Sequence, residues 1–221
     1  MKTNTVLVFD LDDTLYNEID FLKSAFSEIA LKIANEINID YIEIFCQIQS
    51  FYYDNTNVFK ETIKKYNAPF SIEELLHIYR NHKPKIKLSQ DKINLLNMLK
   101  SMNISLGLLT DGRSIQQRNK IEALGLDDWF SEVVISEEFG SEKPHVENYK
   151  YFEKIFGKGK YYYIGDNIKK DFITPNSINW TTICLQDNGV NIHKQDMHFI
   201  DEKYLAKYTI LKLPEVLNIV S

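Results

Sequence analysis

Val6 to Phe9 is a short, unbroken apolar run that stops on Asp10. A strand that is apolar at successive positions, rather than at alternate ones, is buried on both faces, which points to a parallel sheet covered by helices. Similar runs recur at Ile104–Leu109, Val133–Ile135, Tyr161–Ile164 and Thr181–Leu185, with a weaker one at Tyr208–Leu211. Helical spacing fills the gaps. Ser89–Met102 carries Ile93, Leu96 and Leu99 on one face, and His145–Phe156 aligns Tyr149, Phe152 and Phe156. Ser114–Leu124 opens on a Ser114–Gln117 pair with capping-box spacing and closes on Gly125. This alternation predicts an α/β fold built on a parallel sheet with helices on both faces.

Residues 16–88 interrupt it. Leu22, Phe26, Ile29, Ile33 and Ile37 repeat every three or four residues, as do Tyr41, Ile44, Phe45, Ile48 and Tyr52. Ser71 and Glu74 form a second capping-box pair ahead of Leu75, Leu76 and Tyr79. The pattern predicts a small all-helical domain over 16–88, inserted into an α/β core of 1–15 and 89–221. His82-Lys83-Pro84-Lys85 is the expected linker back to the core. The aromatic residues Phe45, Phe51, Tyr52, Tyr53, Phe59 and Tyr66 are expected mainly in the core of the helical domain.

Four polar features fall at the ends of predicted strands: Asp10-Leu11-Asp12-Asp13-Thr14, Thr110-Asp111-Gly112, Lys143-Pro144, and Gly165-Asp166-Asn167 with Asp171 following. In an open parallel sheet, ligands bind beyond the carboxyl ends of the strands, so all four should face one crevice. Asp10 and Asp12 are separated by one residue, and in extended geometry their side chains emerge on one side. Clustered carboxylates resist ionisation unless a cation joins them. Oxygen donors without His or Cys select a hard ion, Mg²⁺ above all, which also takes a phosphate oxygen. Lys143, Thr110 and backbone N–H groups around Asp111 and Gly112 would supply donors to that phosphate. A carboxylate can then act as nucleophile on phosphorus while a second carries the proton.

These motifs, in this order and spacing, resemble the haloacid dehalogenase-like hydrolase superfamily over residues 5 to about 186. The resemblance implies a Rossmann-like core, with Asp10 as nucleophile and Mg²⁺ ligand. It implies that Asp12 is the general acid/base and offers its main-chain carbonyl to the metal. Thr110 and Lys143 would hold the phosphoryl group, with Asp166 on the metal and Asp171 nearby, directly or through water. The helical insert resembles the family's cap, which closes over substrate and excludes water. Asp12 selects within the superfamily, because carbon–halogen hydrolases need no acid there and ion-pumping ATPases carry Thr. It implies a phosphatase acting on a small sugar phosphate, mononucleotide or other phosphorylated metabolite. A phosphomutase of the β-phosphoglucomutase type and a non-catalytic binding protein are the alternatives.

Charge agrees with this only locally. With 26 Lys plus Arg against 31 Asp plus Glu, the net charge is −5, which argues against nucleic acid as a partner. Arg80, Arg113 and Arg118 are the only arginines, so metal and lysine, rather than an arginine clamp, should meet the phosphoryl group. No apolar run approaches the roughly 20 residues of a membrane helix, and the cytoplasm is the expected compartment. Cys46 and Cys184 have no paired-ligand spacing and are expected to be buried thiols. His77, His82, His145, His193 and His198 show no metal spacing and are expected at the surface or in caps. Arg113 and Lys169 lie near the inferred crevice but are expected on solvated faces, and Tyr16, Asn17 and Glu18 are expected either as contacts near the hinge of the helical insert or as part of the linker itself. Nothing in the chain specifies an oligomeric state.

Overall fold

The computed structural model describes residues 4–196 and 200–220. Six strands form one sheet: β1 (Asn4–Phe9), β2 (Ser105–Thr110), β3 (Glu132–Ile135), β4 (Gly159–Gly165), β5 (Thr181–Leu185) and β6 (Tyr208–Ile210). Every neighbouring pair is parallel, in the order β3-β2-β1-β4-β5-β6. The Rossmann-like expectation therefore holds. From central β1 the chain builds outward through β2 and β3, then crosses back to build β4, β5 and β6 on the other side. The point of reversal lies at the carboxyl end of β1, where open α/β sheets bind ligands.

The two-residue period of β1 divides the core into two layers. Leu7 and Phe9 pack on one face with Leu95, Leu96, Leu99, Ile121 and Leu124. Val6 and Val8 pack on the other with Tyr149, Phe152 and Trp180. These layers are supplied by α5 (Gln90–Ser101) and α6 (Ser114–Leu124) on the first face, and on the second by α8 (Val146–Phe156), which follows the one-turn α7 (Ser136–Phe139). Both layers exclude water completely at β1, whose last four residues are buried. That is the continuous apolar run seen in the sequence.

A third apolar cluster belongs to the inserted helices α1 (Glu18–Ile37), α2 (Tyr41–Tyr53), α3 (Val58–Tyr66) and α4 (Ile72–Asn81). Phe26, Ile29, Ile33, Ile44, Ile48 and Leu75 form its centre, with Phe45, Tyr52, Phe59 and Tyr66 around them. The Ser71–Glu74 capping box is formed in both directions. The return segment is extended, burying His82, Pro84 and Ile86 while Lys83, Lys85 and Lys87 face solvent. No described helix is long and apolar enough to cross a membrane.

Several local expectations change. The Ser114–Gln117 capping box does not form: Arg113 takes the N-cap position without a side-chain cap. Ser114 instead bonds Glu138 at 2.6 Å, and Gln117 turns inward. Cys184 is buried but Cys46 is exposed on α2. His82 takes the C-cap position of α4 but is buried, 2.7 Å from Ser24 Oγ and bonded to Glu28. His145 does cap α8, and His198 lies outside the described residues.

Candidate active site

Asp10 follows β1 directly, and its N–H continues the ladder to the Ile164 carbonyl at 2.8 Å. Its side chain is thereby aimed off the end of the sheet. Asp166 follows β4 in the same way. Asp171 ends a turn in which the Asn167 N–H donates to its Oδ2 at 2.9 Å. Gly165 makes that turn possible, since a Cβ there would collide with the Asp171 carboxylate. Oxygens of Asp10, Asp166 and Asp171 all lie within 4.8 Å of one another, and all three residues are buried.

One ammonium sits among them. Lys143 Nζ is 2.6 Å from Asp10 Oδ1, 2.9 Å from Asp171 Oδ1 and 3.1 Å from the Tyr163 hydroxyl, with its side chain 1% exposed. Burial and the Asp171 charge push Asp10 up to about 7 despite Lys143. Burial, Asp10 and Asp171 push Asp166 up to about 9. Lys143 is held well above its ordinary value: burial alone would lower it, but Asp10 and Asp171 outweigh that effect. Three buried carboxylates against one cation leave negative charge unbalanced. An all-oxygen set of this kind fits a hard divalent ion, which would relieve the repulsion.

Asp12 has a different environment. Its Oδ1 accepts from the Tyr16 hydroxyl at 2.5 Å and from Lys120 Nζ at 2.7 Å. Its Oδ2 accepts from Lys120 at 2.9 Å and from Gln117 Nε2 at 2.9 Å. Burial would raise this carboxyl, yet Lys120 and the two neutral donors hold it below the usual range. Its side chain is not among the metal-competent carboxylates, so a role on the metal would fall to its main-chain carbonyl. Glu18, opening α1, lies 3.8 Å from Lys120 and is pushed up to about 8 by burial and Asp12.

Of the residues expected to meet a phosphate, only some come together. Thr110, Asp111 and Lys143 line the same small cavity of about 90 Å³ as Asp10, Asp12 and Asp166. Gly112 does not; it faces a separate shallow pocket, and its N–H is taken by Ser136 Oγ at 2.9 Å. Its φ of 139° and the Gln117 side chain 3.2 Å from a notional Cβ explain the glycine there. The Asp111 carboxylate accepts from the Lys143 N–H at 3.0 Å and from Lys170 Nζ at 2.7 Å, tying two loops together. Lys170 therefore faces the cavity, whereas Lys169 is exposed and Arg113 pairs loosely with Glu137 at 3.7 Å.

Some residues of the site carry no motif. Lys120 and Gln117 are polar positions on the face of α6 that also buries Ile121 and Leu124. That break in an apolar stripe was the available signal. Asn191 bonds Asp166 Oδ2 at 2.8 Å, and His193 lines the cavity. Both come from an irregular segment whose position only the folded chain defines. Asp13 joins that segment to α1 by accepting from the Ile192 and Glu18 N–H groups, each at 2.8 Å.

The chain belongs to the haloacid dehalogenase-like hydrolase family, whose pattern it matches over residues 7–185. It is 31% identical to a glyceraldehyde 3-phosphate phosphatase of Methanocaldococcus jannaschii, covering 97% of this chain and 96% of that protein. It is 28% identical to a glyceraldehyde 3-phosphate phosphatase of Pyrococcus furiosus, covering 99% and 94%. Its fold matches that of the magnesium-bound hydrolase YfnB of Bacillus subtilis, with a TM-score of 0.68, 23% identity and full coverage of both chains.

Proposed function

We propose that this chain hydrolyses a small phosphorylated metabolite through an aspartyl-phosphate on Asp10, with Mg²⁺ as cofactor. The chain is a phosphatase of the haloacid dehalogenase-like family. What carries the finer reading is the convergence of Asp10, Asp166 and Asp171 around Lys143 at the end of β1. Asp10, the main-chain carbonyl of Asp12, Asp166 and Asp171 would hold the metal. Bound there, it would neutralise charge on the three carboxylates and on the phosphoryl oxygens.

In this reading an Asp10 oxygen forms a bond to phosphorus as the bond to the leaving oxygen breaks. A proton from the Asp12 carboxyl completes the departing alcohol. Water then attacks phosphorus, the bond to Asp10 breaks, inorganic phosphate leaves, and the water proton restores Asp12. Lys143 and Thr110 steady the phosphoryl group. The cavity at these residues admits little more than that group. A wider cleft of about 590 Å³, between Tyr52 and Tyr53 of α2 and residues 189–192, offers room for the rest of the substrate. In this role the helices of 16–88 are a cap.

A sugar phosphate is favoured over a mononucleotide because full-length relatives carry the name glyceraldehyde 3-phosphate phosphatase. The cytoplasm is the compartment that suits this substrate. Phosphate release from a panel of sugar phosphates and mononucleotides, with Mg²⁺ and with EDTA, tests the reading. Turnover that survives EDTA refutes the cofactor, and preference for a nucleotide refutes the substrate.

A further inference from the structure

Lys120 is a buried cation to which the scheme above gives no task. Its side chain is 3% exposed, and Nζ sits 4.7 Å from the centre of the Phe21 ring. An apolar side chain at 120 would extend the Ile121 and Leu124 stripe and pack against Phe21. A buried ammonium there costs desolvation that a hydrophobic residue would not. Packing therefore does not explain the lysine; the geometry toward Asp12 does.

Lys120 contacts both Asp12 oxygens, at 2.7 and 2.9 Å. One turn earlier on α6, Gln117 reaches Asp12 Oδ2 at 2.9 Å and Thr110 Oγ1 at 2.6 Å. The helix thus presents two donors, three residues apart, that fix one carboxylate and tie it to the strand end beside it. Tyr16 closes the remaining side at 2.5 Å. Together these donors engage both carboxylate oxygens and set the rotamer. Lys143 does the equivalent for Asp10 from another loop.

We propose that Lys120 is a positioning residue that holds Asp12 in the orientation from which it takes the proton of the water attacking the aspartyl-phosphate. The inference rests on the roles given above to Asp10 and Asp12. In that step the water oxygen bonds to phosphorus, the bond from phosphorus to Asp10 breaks, and the water proton passes to Asp12. Asp10 is regenerated and inorganic phosphate departs.

An aryl phosphate separates the two halves of the reaction, because its phenolate leaves without a proton donor. Rapid-mixing kinetics on p-nitrophenyl phosphate with Mg²⁺ should give Lys120→Met an initial release of nitrophenol within about threefold of wild type. Its steady-state rate should fall by about 10²-fold, the scale of a lost general base, and phosphoenzyme should accumulate on acid quench. Lys120→Arg, which keeps the charge, should recover part of the loss. In single turnovers, Lys120→Met added to Asp12→Asn should cost nothing further, since both remove the same interaction. Parallel loss in both phases, or full additivity with Asp12→Asn, would overturn the proposal. Melting temperatures of both Lys120 variants identify a folding defect, in which case Lys120→Arg decides. Wild-type enzyme that forms no phosphoenzyme would instead refute the roles of Asp10 and Asp12 themselves.

Discussion

Asp10 and Asp12 leave the same strand end two residues apart, yet they enter opposite electrostatic environments. Asp10 shares one ammonium with Asp171, in a cluster of three buried carboxylates, and is pushed up to about 7. Asp12 is paired closely with the Lys120 ammonium, plus a phenol and an amide, and is held below the usual carboxylate range. The chemical type is identical, so the difference is entirely environmental. Pairs of carboxylates whose surroundings push them apart in this way are suited to different tasks. An unbalanced trio suits a metal and a nucleophile. A carboxylate outside that trio, held in one orientation by its own donors, is free of the metal for the general acid/base role proposed for it.

Replacing each member is the strongest way to break the comparison. Asp10→Asn should abolish turnover, with a loss of at least about 10³-fold, because no covalent intermediate can form. Asp12→Ala should lose about 10²- to 10⁴-fold and trap phosphoenzyme, whereas Asp10→Asn should trap none. Acid-quenched radiolabelled substrate distinguishes the two, and equal trapping in both variants would erase the distinction.

The trio should also show itself in stability. Carboxyls held above their unfolded value near 4 keep more protons when folded than when unfolded. Stability of the metal-free protein should therefore fall as pH rises from about 4 through the folded values of about 7 for Asp10 and about 9 for Asp166. Calorimetry in EDTA from pH 5 to 9 should record that decline, and Mg²⁺ should reverse it most at the alkaline end. Asp166→Asn should raise the metal-free melting temperature at pH 8, by roughly 2–4 °C for each kcal/mol of relieved repulsion, while removing the Mg²⁺ response. A melting temperature that rises with pH in EDTA would contradict the unbalanced charge.

The smallest effect is expected where a cation belongs to neither environment. Arg118 forms a 2.5 Å pair with Glu138 on the exposed side of α6, two residues from Lys120. Arg118→Ala should alter stability by under about 1 kcal/mol and leave kcat unchanged. A large kinetic effect there would mean that α6 acts as a whole rather than through its inward face.

Much of this was legible in the chain because it depends on local pattern. Apolar runs that stop on aspartate announced buried parallel strands, and the order of their polar ends announced one crevice. Asp10, Thr110, Asp111, Lys143 and Asp166, which line one cavity, could be picked out because each sits within a few residues of such an end, apart from the Lys143 loop, which lies further on. Gly112 drew notice because a glycine beside a strand end looks like an anion cradle; in the fold its N–H donates to Ser136. Gln117 looked like a cap because capping spacing is also the spacing of one helix face. Asn191, His193 and Lys170 had no periodic context to mark them.

The sequence alone determined the strands, the inserted helices and the carboxylates aimed off the sheet, since those follow from hydrophobic period and chain direction. Tertiary structure decided which cation each carboxylate receives. Lys143 and Lys120 lie 133 and 108 residues from their partners Asp10 and Asp12. No local rule pairs groups at such separations; only the packing of α6 and the Lys143 loop against the end of β1 does. Because charge interactions inside a protein depend on distance and burial, that packing is what gives two like residues unlike chemistry.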